Sequence, residues 1–346
     1  MLTDFGLALG VGGRFWAGDP SKYKECYVTV TIRRIFDMAD GLAADDDADG
    51  MTEGVAPRGE PPCLEEQYYF TPEQATEALR HLRTYGVAVI RGAMSSEEVG
   101  KAKTTLETDL QKRPTGIGGK RSHGLFGDLG IGQCEAVWRV RGSLGVQAAF
   151  AAFWNVEPAE LITSMDAIIV WERHRTLAGG WLHRDRPRAG SVQWQGNSAR
   201  VIQAQVAMVE ATEETGGFVV CPGDNFGERD DLPWQLVKMR PGDLACWDAG
   251  CRHGSEPPFG EQGAAGRRVR QRVPLAQYKR VAVPVCMLPR QCASPEVLEE
   301  RRRLFHEGRV AQHEPHLVVP HPAGDKFVYA LPSSQSWWTE RMRRVL

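Results

Sequence analysis

Apolar and polar positions follow two different rhythms along this chain. From Ser164 onward, short apolar runs are separated by turn residues: Met165 to Trp171, Val201 to Val209, Gly217 to Cys221, Gln235 to Met239, Leu244 to Trp247 and Val281 to Met287. Side chains alternate across an extended strand, so Ile202, Ala204, Val206 and Met208 share one face while Gln203 and Gln205 share the other. That strand therefore carries a polar inner face. Arg240-Pro241-Gly242-Asp243 has the Pro-then-Gly order of a type II turn. At least six short strands with Gly and Pro turns predict a sandwich or jelly roll.

Ahead of the strands the rhythm is helical. Thr71-Pro72-Glu73-Gln74 supplies an N-cap, a proline at the first helical position and a glutamine three residues on, and Gly86 should end the helix. A strand, Val87 to Ile90, comes next. Ser95 to Glu98 is a second capping box, opening a helix to about Lys112; residues 113–132 read as a polar, Gly-rich loop, and Val146 to Trp154 as an apolar helix. Ser294-Pro295 begins a basic helix ending near Gly308, and a last amphipathic segment carries Trp337 and Trp338. Residues 1–62 differ from all of this, with glycines at 10, 12 and 13, an acidic run from 39 to 50, and a Pro- and Gly-containing stretch to Pro62. Such a segment buries too little apolar surface to offset its ordering entropy, so it reads as a mobile leader. The run Cys26 to Ile32 is its one strand-like part. The expected organisation is a leader, 1–62, and one domain, 63–346.

Composition narrows the function classes. Of 346 residues, 42 are basic and 44 acidic, a net charge of −2 that carries no strong nucleic-acid or membrane-surface signature. Eight scattered cysteines lack the density of a secreted disulfide scaffold and predict reduced thiols and an intracellular, cytoplasmic setting. No apolar run reaches the roughly 18 residues of a membrane span.

The candidate chemistry centres on Trp181-Leu182-His183-Arg184-Asp185. On an extended segment, His183 and Asp185 point the same way and can grip one ion. His253, after a strand-like run, is the best third ligand. Two imidazoles and a carboxylate on one side of an ion form the facial triad of non-haem Fe(II) oxygenases, leaving positions open for cosubstrate and oxygen. A zinc site from Cys246, Cys251 and His253 competes with this reading but lacks a second tight ligand pair. His313, His316 and His321 are Pro-flanked and read as loop surface, Trp171 and Trp181 as packing, and Arg139 and Arg141 as solvent-facing. Gln203 or Gln205 is a candidate to face a cofactor.

Taken together, the helix, Tyr85 to Gly92, the second helix, His183-x-Asp185, Gly216 to Gly223, Pro241-Gly242-Asp243-Leu244, His253-x-Ser255 and an Arg-bearing final strand resemble the phytanoyl-CoA dioxygenase family over roughly residues 68–290. The resemblance implies a mainly β fold with flanking helices, a double-stranded β-helix of cupin-like type. It also implies Fe(II) with 2-oxoglutarate as cosubstrate, molecular oxygen as oxidant, a small-molecule substrate, and a role for Ser255 in holding the 2-oxoglutarate carboxylate. Asp185 favours hydroxylation, because halogenating relatives replace this carboxylate with halide. Family spacing puts the cofactor arginine at Arg267, Arg268 or Arg270, in a Gly-rich stretch, whereas strand context points to Arg280. A catalytically silent binding protein, or a cupin metalloenzyme without 2-oxoglutarate, are the competing readings.

Overall fold

The computed structural model describes residues 8–9, 15–16, 62–111, 125–126, 128–172, 181–185, 191–224, 229, 231–256, 278–317 and 338–346. Two compact units divide the chain, Met1–Arg58 and Gly59–Leu346. In the first, β1 (Ala8–Leu9) pairs antiparallel with β2 (Phe15–Trp16), while the strand expected at Cys26 to Ile32 and the acidic run lie outside the described residues.

The second unit begins with β3 (Tyr69–Phe70) and α1 (Ala75–Tyr85), whose entry is fixed by Gln74 accepting from the Thr71 N–H at 2.9 Å. Gly86, at a φ of 77°, ends the helix in the left-handed conformation that suits glycine. Next come β4 (Val87–Ile90) and α2 (Ser96–Gln111), with Ser95 and Glu98 capping each other's backbone N–H groups at 3.2 and 3.0 Å. The stretch expected to be all loop contains β5 (Leu125–Phe126) and a 3-10 helix, Asp128–Gln133. Helices α3 (Glu135–Arg141) and α4 (Leu144–Trp154) precede β6 (Leu161–Thr163) and β7 (Ile168–Glu172).

Nine further strands complete the sheets: β8 (Trp181–His183), β9 (Ser191–Trp194), β10 (Asn197–Arg200), β11 (Ile202–Ala207), β12 (Gly217–Val220), β13 (Gln235–Leu236), β14 (Leu244–Asp248), β15 (His253–Glu256) and β16 (Tyr278–Pro289). The larger sheet runs β3-β4-β14-β11-β16-β7-β5, with β6 also on β16; the smaller runs β13-β12-β15-β8, and β9–β10 form a separate hairpin. The basic helix α5 (Pro295–His306) and α6 (Glu340–Arg344) follow the sheets. No described helix is long and apolar enough to cross a membrane.

Period-two alternation sorts the core into two layers. Val87 and Val89 of β4 and Ala245 and Trp247 of β14 pack with Phe218 and Val220 of β12, between the sheets. Their neighbours Ala88, Ile90, Leu244 and Cys246, with Ile202, Ala204 and Val206 of β11, pack on the other side against helical residues such as Ala78, Leu82 and Leu106. The fold is thus the expected mainly β jelly roll with flanking helices. The Pro241–Gly242 turn forms as anticipated: Gly242 has a φ of 97° and the Asp243 N–H donates to Arg240 O at 3.0 Å. By contrast, the β9–β10 hairpin had no strong signal, because Gln195-Gly196 supplies the two positive-φ residues in place of the usual Asn-Gly.

Candidate metal centre and cosubstrate pocket

The smaller sheet brings the three expected ligands together. In the antiparallel pairing of β15 with β8, His253 lies directly opposite His183. Their rings are 4.6 Å apart between centroids. The strand ends at His183, so Asp185 sits just past it, yet its carboxylate still turns back: Oδ1 is 3.2 Å from His183 Nε2 and Oδ2 is 3.3 Å from His253 Nε2. One donor atom from each residue falls within 4.8 Å of the others, the sole such group among the described residues. Burial opposes ionisation of Asp185, but the imidazoles of His253, His183 and His313 hold its carboxyl well below the usual carboxylate range.

The orientation of His253 indicates what this group can hold. Its Nδ1 lies 2.9 Å from the carbonyl of Cys251, which can only accept, so Nδ1 carries a proton and Nε2 is the atom that faces Asp185. A ring nitrogen and a carboxylate oxygen at 3.3 Å need a proton or a metal cation between them. A divalent ion held by two imidazoles and a carboxylate meets that need.

Across the interior, the larger sheet offers an anion site. Arg280 on β16 is 4% exposed, its guanidinium stacked over the Trp171 ring at 4.7 Å. Its Nη1 donates to Ser255 Oγ at 2.5 Å and its Nη2 to Gln205 Oε1 at 2.9 Å. Ser255 lies two residues beyond His253 and hence on the same face of β15, so Arg280 joins the two sheets beside the ligand group. Burial pushes the guanidinium down to about 9, which leaves it charged at neutral pH. It has no carboxylate partner among the described residues. The adjacent amides point the same way: Gln203 and Gln205, 4% and 1% exposed, have Nε2 groups without an acceptor, as does the Trp247 indole N–H. Buried donors that lack acceptors, with a guanidinium that has no carboxylate partner among the described residues, fit an anionic ligand.

Several expectations change. Arg141 does not face solvent: it is fully buried, donates to Gly132 O at 2.6 Å and Asp166 O at 3.1 Å, and lies over the Trp138 ring, because α3 turns it inward. Arg139 is half-buried and pairs with Glu135 one helical turn back. His313 does not lie on remote surface; its Nε2 is 3.8 Å from Asp185 Oδ2 and 4.0 Å from Glu314 Oε1. The zinc alternative does not assemble, since Cys246 belongs to the helix-side core and Cys251 Sγ contacts Cys221 O at 3.1 Å on the other side. Trp171 packs as expected, but against the guanidinium. Gln205 is the glutamine that meets Arg280, whereas Gln203 sits one register step further along, opposite Trp247. Arg267, Arg268, Arg270 and His321 lie outside the described residues.

A two-sheet jelly roll with a His-x-Asp and a distal His at one sheet defines the class of non-haem Fe(II) oxygenases. The profile of the phytanoyl-CoA dioxygenase (PhyH) family matches residues 139–266 of the chain. The chain is 26% identical to Ava biosynthesis cluster protein O of Aspergillus versicolor, over 55% of this chain and 66% of that protein's length. Among solved structures it resembles the non-heme alpha ketoglutarate dependent epimerase SnoN from nogalamycin biosynthesis, at 15% identity and a TM-score of 0.45 over 63% of this chain and 84% of that one. It also resembles the carbocyclase SnoK from nogalamycin biosynthesis, at 16% identity and a TM-score of 0.44 over 67% and 87% of the two chains. At these scores neither structure carries an assignment.

Proposed function

We propose that the protein hydroxylates a C–H bond of a small organic molecule, with His183, Asp185 and His253 as Fe(II) ligands and Arg280, Ser255 and a glutamine, Gln203 or Gln205, as the 2-oxoglutarate subsite. The observation that carries this reading is Arg280: a charged guanidinium buried between the sheets without a carboxylate partner among the described residues, beside the ligand group. A metalloprotein that did not use an acidic cosubstrate would have no reason to retain it.

When bound, iron and 2-oxoglutarate supply oxidative decarboxylation to succinate and CO2, coupled to transfer of one oxygen atom from O2 to the substrate. The chain's own residues make that possible. The Cys251 carbonyl keeps the His253 proton on Nδ1 and its Nε2 free for metal. Arg280 presents two N–H groups in a fixed plane, the fork that suits a carboxylate, and Trp171 holds that plane from beneath. Phe218 and Trp247, with centroids 4.6 Å apart, wall off water next to His253. As a ligand, Asp185 would take the place that halide takes in halogenating relatives, which favours hydroxylation.

Reconstituted enzyme under 18O2, supplied with 2-oxoglutarate and candidate small molecules, should release succinate in a substrate-dependent manner and place one 18O atom in the product. Substrate-dependent succinate with no 18O in the product would support a cyclising or epimerising outcome instead.

A further inference from the structure

Positions 184 and 252 adjoin metal ligands but alternate away from them, so their side chains leave on the reverse of the ligand face. Both reach one carboxylate. Arg184 Nη2 lies 2.8 and 2.9 Å from the two oxygens of Asp224, and Arg252 donates to Asp224 Oδ2 through Nε at 2.7 Å and through its backbone N–H at 3.2 Å. Asp224 is 0% exposed, and the two arginine side chains are 16% and 15% exposed. Arg252 is braced further by the carbonyls of Arg229 at 2.9 Å and Leu232 at 3.2 Å, and Asp224 by its own N–H on Cys221 O at 3.1 Å. Both ligand-bearing segments thus converge on one buried carboxylate, beyond the last pair of the β8–β15 ladder at His183. Asp185 lies beyond the last ladder pair, so its place depends on what holds Arg184.

We infer that Asp224 is a positioning residue of the metal centre, a buried carboxylate that locks the segment bearing His183 and Asp185 to the segment bearing His253. This rests on the ligand assignment proposed above. Partners behind metal ligands typically change metal affinity by roughly ten- to a hundred-fold when removed. The same carboxylate makes no contact with Arg280, Ser255 or Gln205 in the cosubstrate pocket.

The test uses the full chain and Co(II), whose visible spectrum reports ligand geometry, titrated anaerobically into wild type, Asp224→Asn, Arg184→Gln and His183→Ala. The expected result is Co(II) binding weakened about ten- to a hundred-fold in Asp224→Asn and about ten-fold in Arg184→Gln, with altered visible bands. Binding of 2-oxoglutarate to the Co(II)-saturated variants should stay within about three-fold of wild type. Arg184→Gln leaves Asp224 paired with Arg252, so it keeps the experiment decisive if Asp224→Asn does not fold. Unchanged Co(II) affinity and spectrum in either folded variant overturns the inference, as does an equal loss of cosubstrate binding, which marks general loosening. If His183→Ala binds Co(II) as tightly as wild type, the ligand assignment itself fails and the inference falls with it.

Discussion

Replacing Arg280 by alanine removes the group on which the cosubstrate assignment depends, and the size of the effect can be worked from its surroundings. The guanidinium forms two hydrogen bonds, to Ser255 Oγ and Gln205 Oε1, and the buried Nε2 groups of Gln203 and Gln205 and the Trp247 indole N–H lack acceptors. Truncating one partner of a buried, hydrogen-bonded charge pair costs about 2 to 5 kcal/mol. At about 1.4 kcal/mol per decade, the dissociation constant of 2-oxoglutarate should rise roughly 30-fold at the low end and several-thousand-fold at the high end. Part of that loss arises because Gln203 and Gln205 amides and the Trp247 indole cannot replace a cation. The metal ligands lie on the opposite sheet, so metal affinity should change by less than about three-fold. The assay is calorimetric titration of 2-oxoglutarate into the anaerobic metal-loaded protein, with Arg267→Ala alongside. Were Arg280→Ala to bind 2-oxoglutarate within a few-fold of wild type while Arg267→Ala lost affinity, the anchor would be the Gly-rich stretch and the buried guanidinium would have another purpose.

Two further outcomes follow from single contacts. His313→Ala should keep one metal ion per chain with affinity within about ten-fold of wild type, because its Nε2 stands 3.8 Å from Asp185 Oδ2 and outside the converging donor group; loss of the ion on dialysis would make His313 a ligand. Arg141→Ala should lower unfolding stability by about 3 kcal/mol, measured by urea titration, since the buried carbonyls of Gly132 and Asp166 each lose a charged donor; a change under about 0.5 kcal/mol would show that water replaces it.

Features set by short-range geometry were readable in the sequence. The two capping boxes, the Gly86 stop and the Pro241–Gly242 turn each depend on residues within four positions of one another, where backbone sterics and one hydrogen bond decide the outcome. His183-x-Asp185 belongs to the same category, as does the alternation that sends Gln203 and Gln205 inward. The choice of Arg280 over the Gly-rich arginines came from a strand context that the structure also gives it, at the interior end of β16. Contacts fixed by sheet packing were not readable. Asp224 meets Arg184 and Arg252 from 40 and 28 positions away, and nothing near it in sequence distinguishes it from a turn aspartate after Pro222-Gly223. His313 approaches Asp185 because Ala311 bonds its N–H to Met165 O at 2.9 Å, drawing a Pro-flanked segment against the β6–β7 connection. Arg141 was misjudged because a short helix between two others has no free face, and its length and neighbours are set by the layer it packs in. The glutamine pair could be assigned a face but not a partner, since register against β16 selects Gln205 for Arg280.

The central claim is that one Fe(II) is held by His183, Asp185 and His253, and metal content after anaerobic dialysis against Fe(II) tests it most directly. Wild type should retain one iron per chain and turn over 2-oxoglutarate, while alanine at any of the three positions should lose both. Full iron content and full 2-oxoglutarate turnover in His183→Ala would contradict the account.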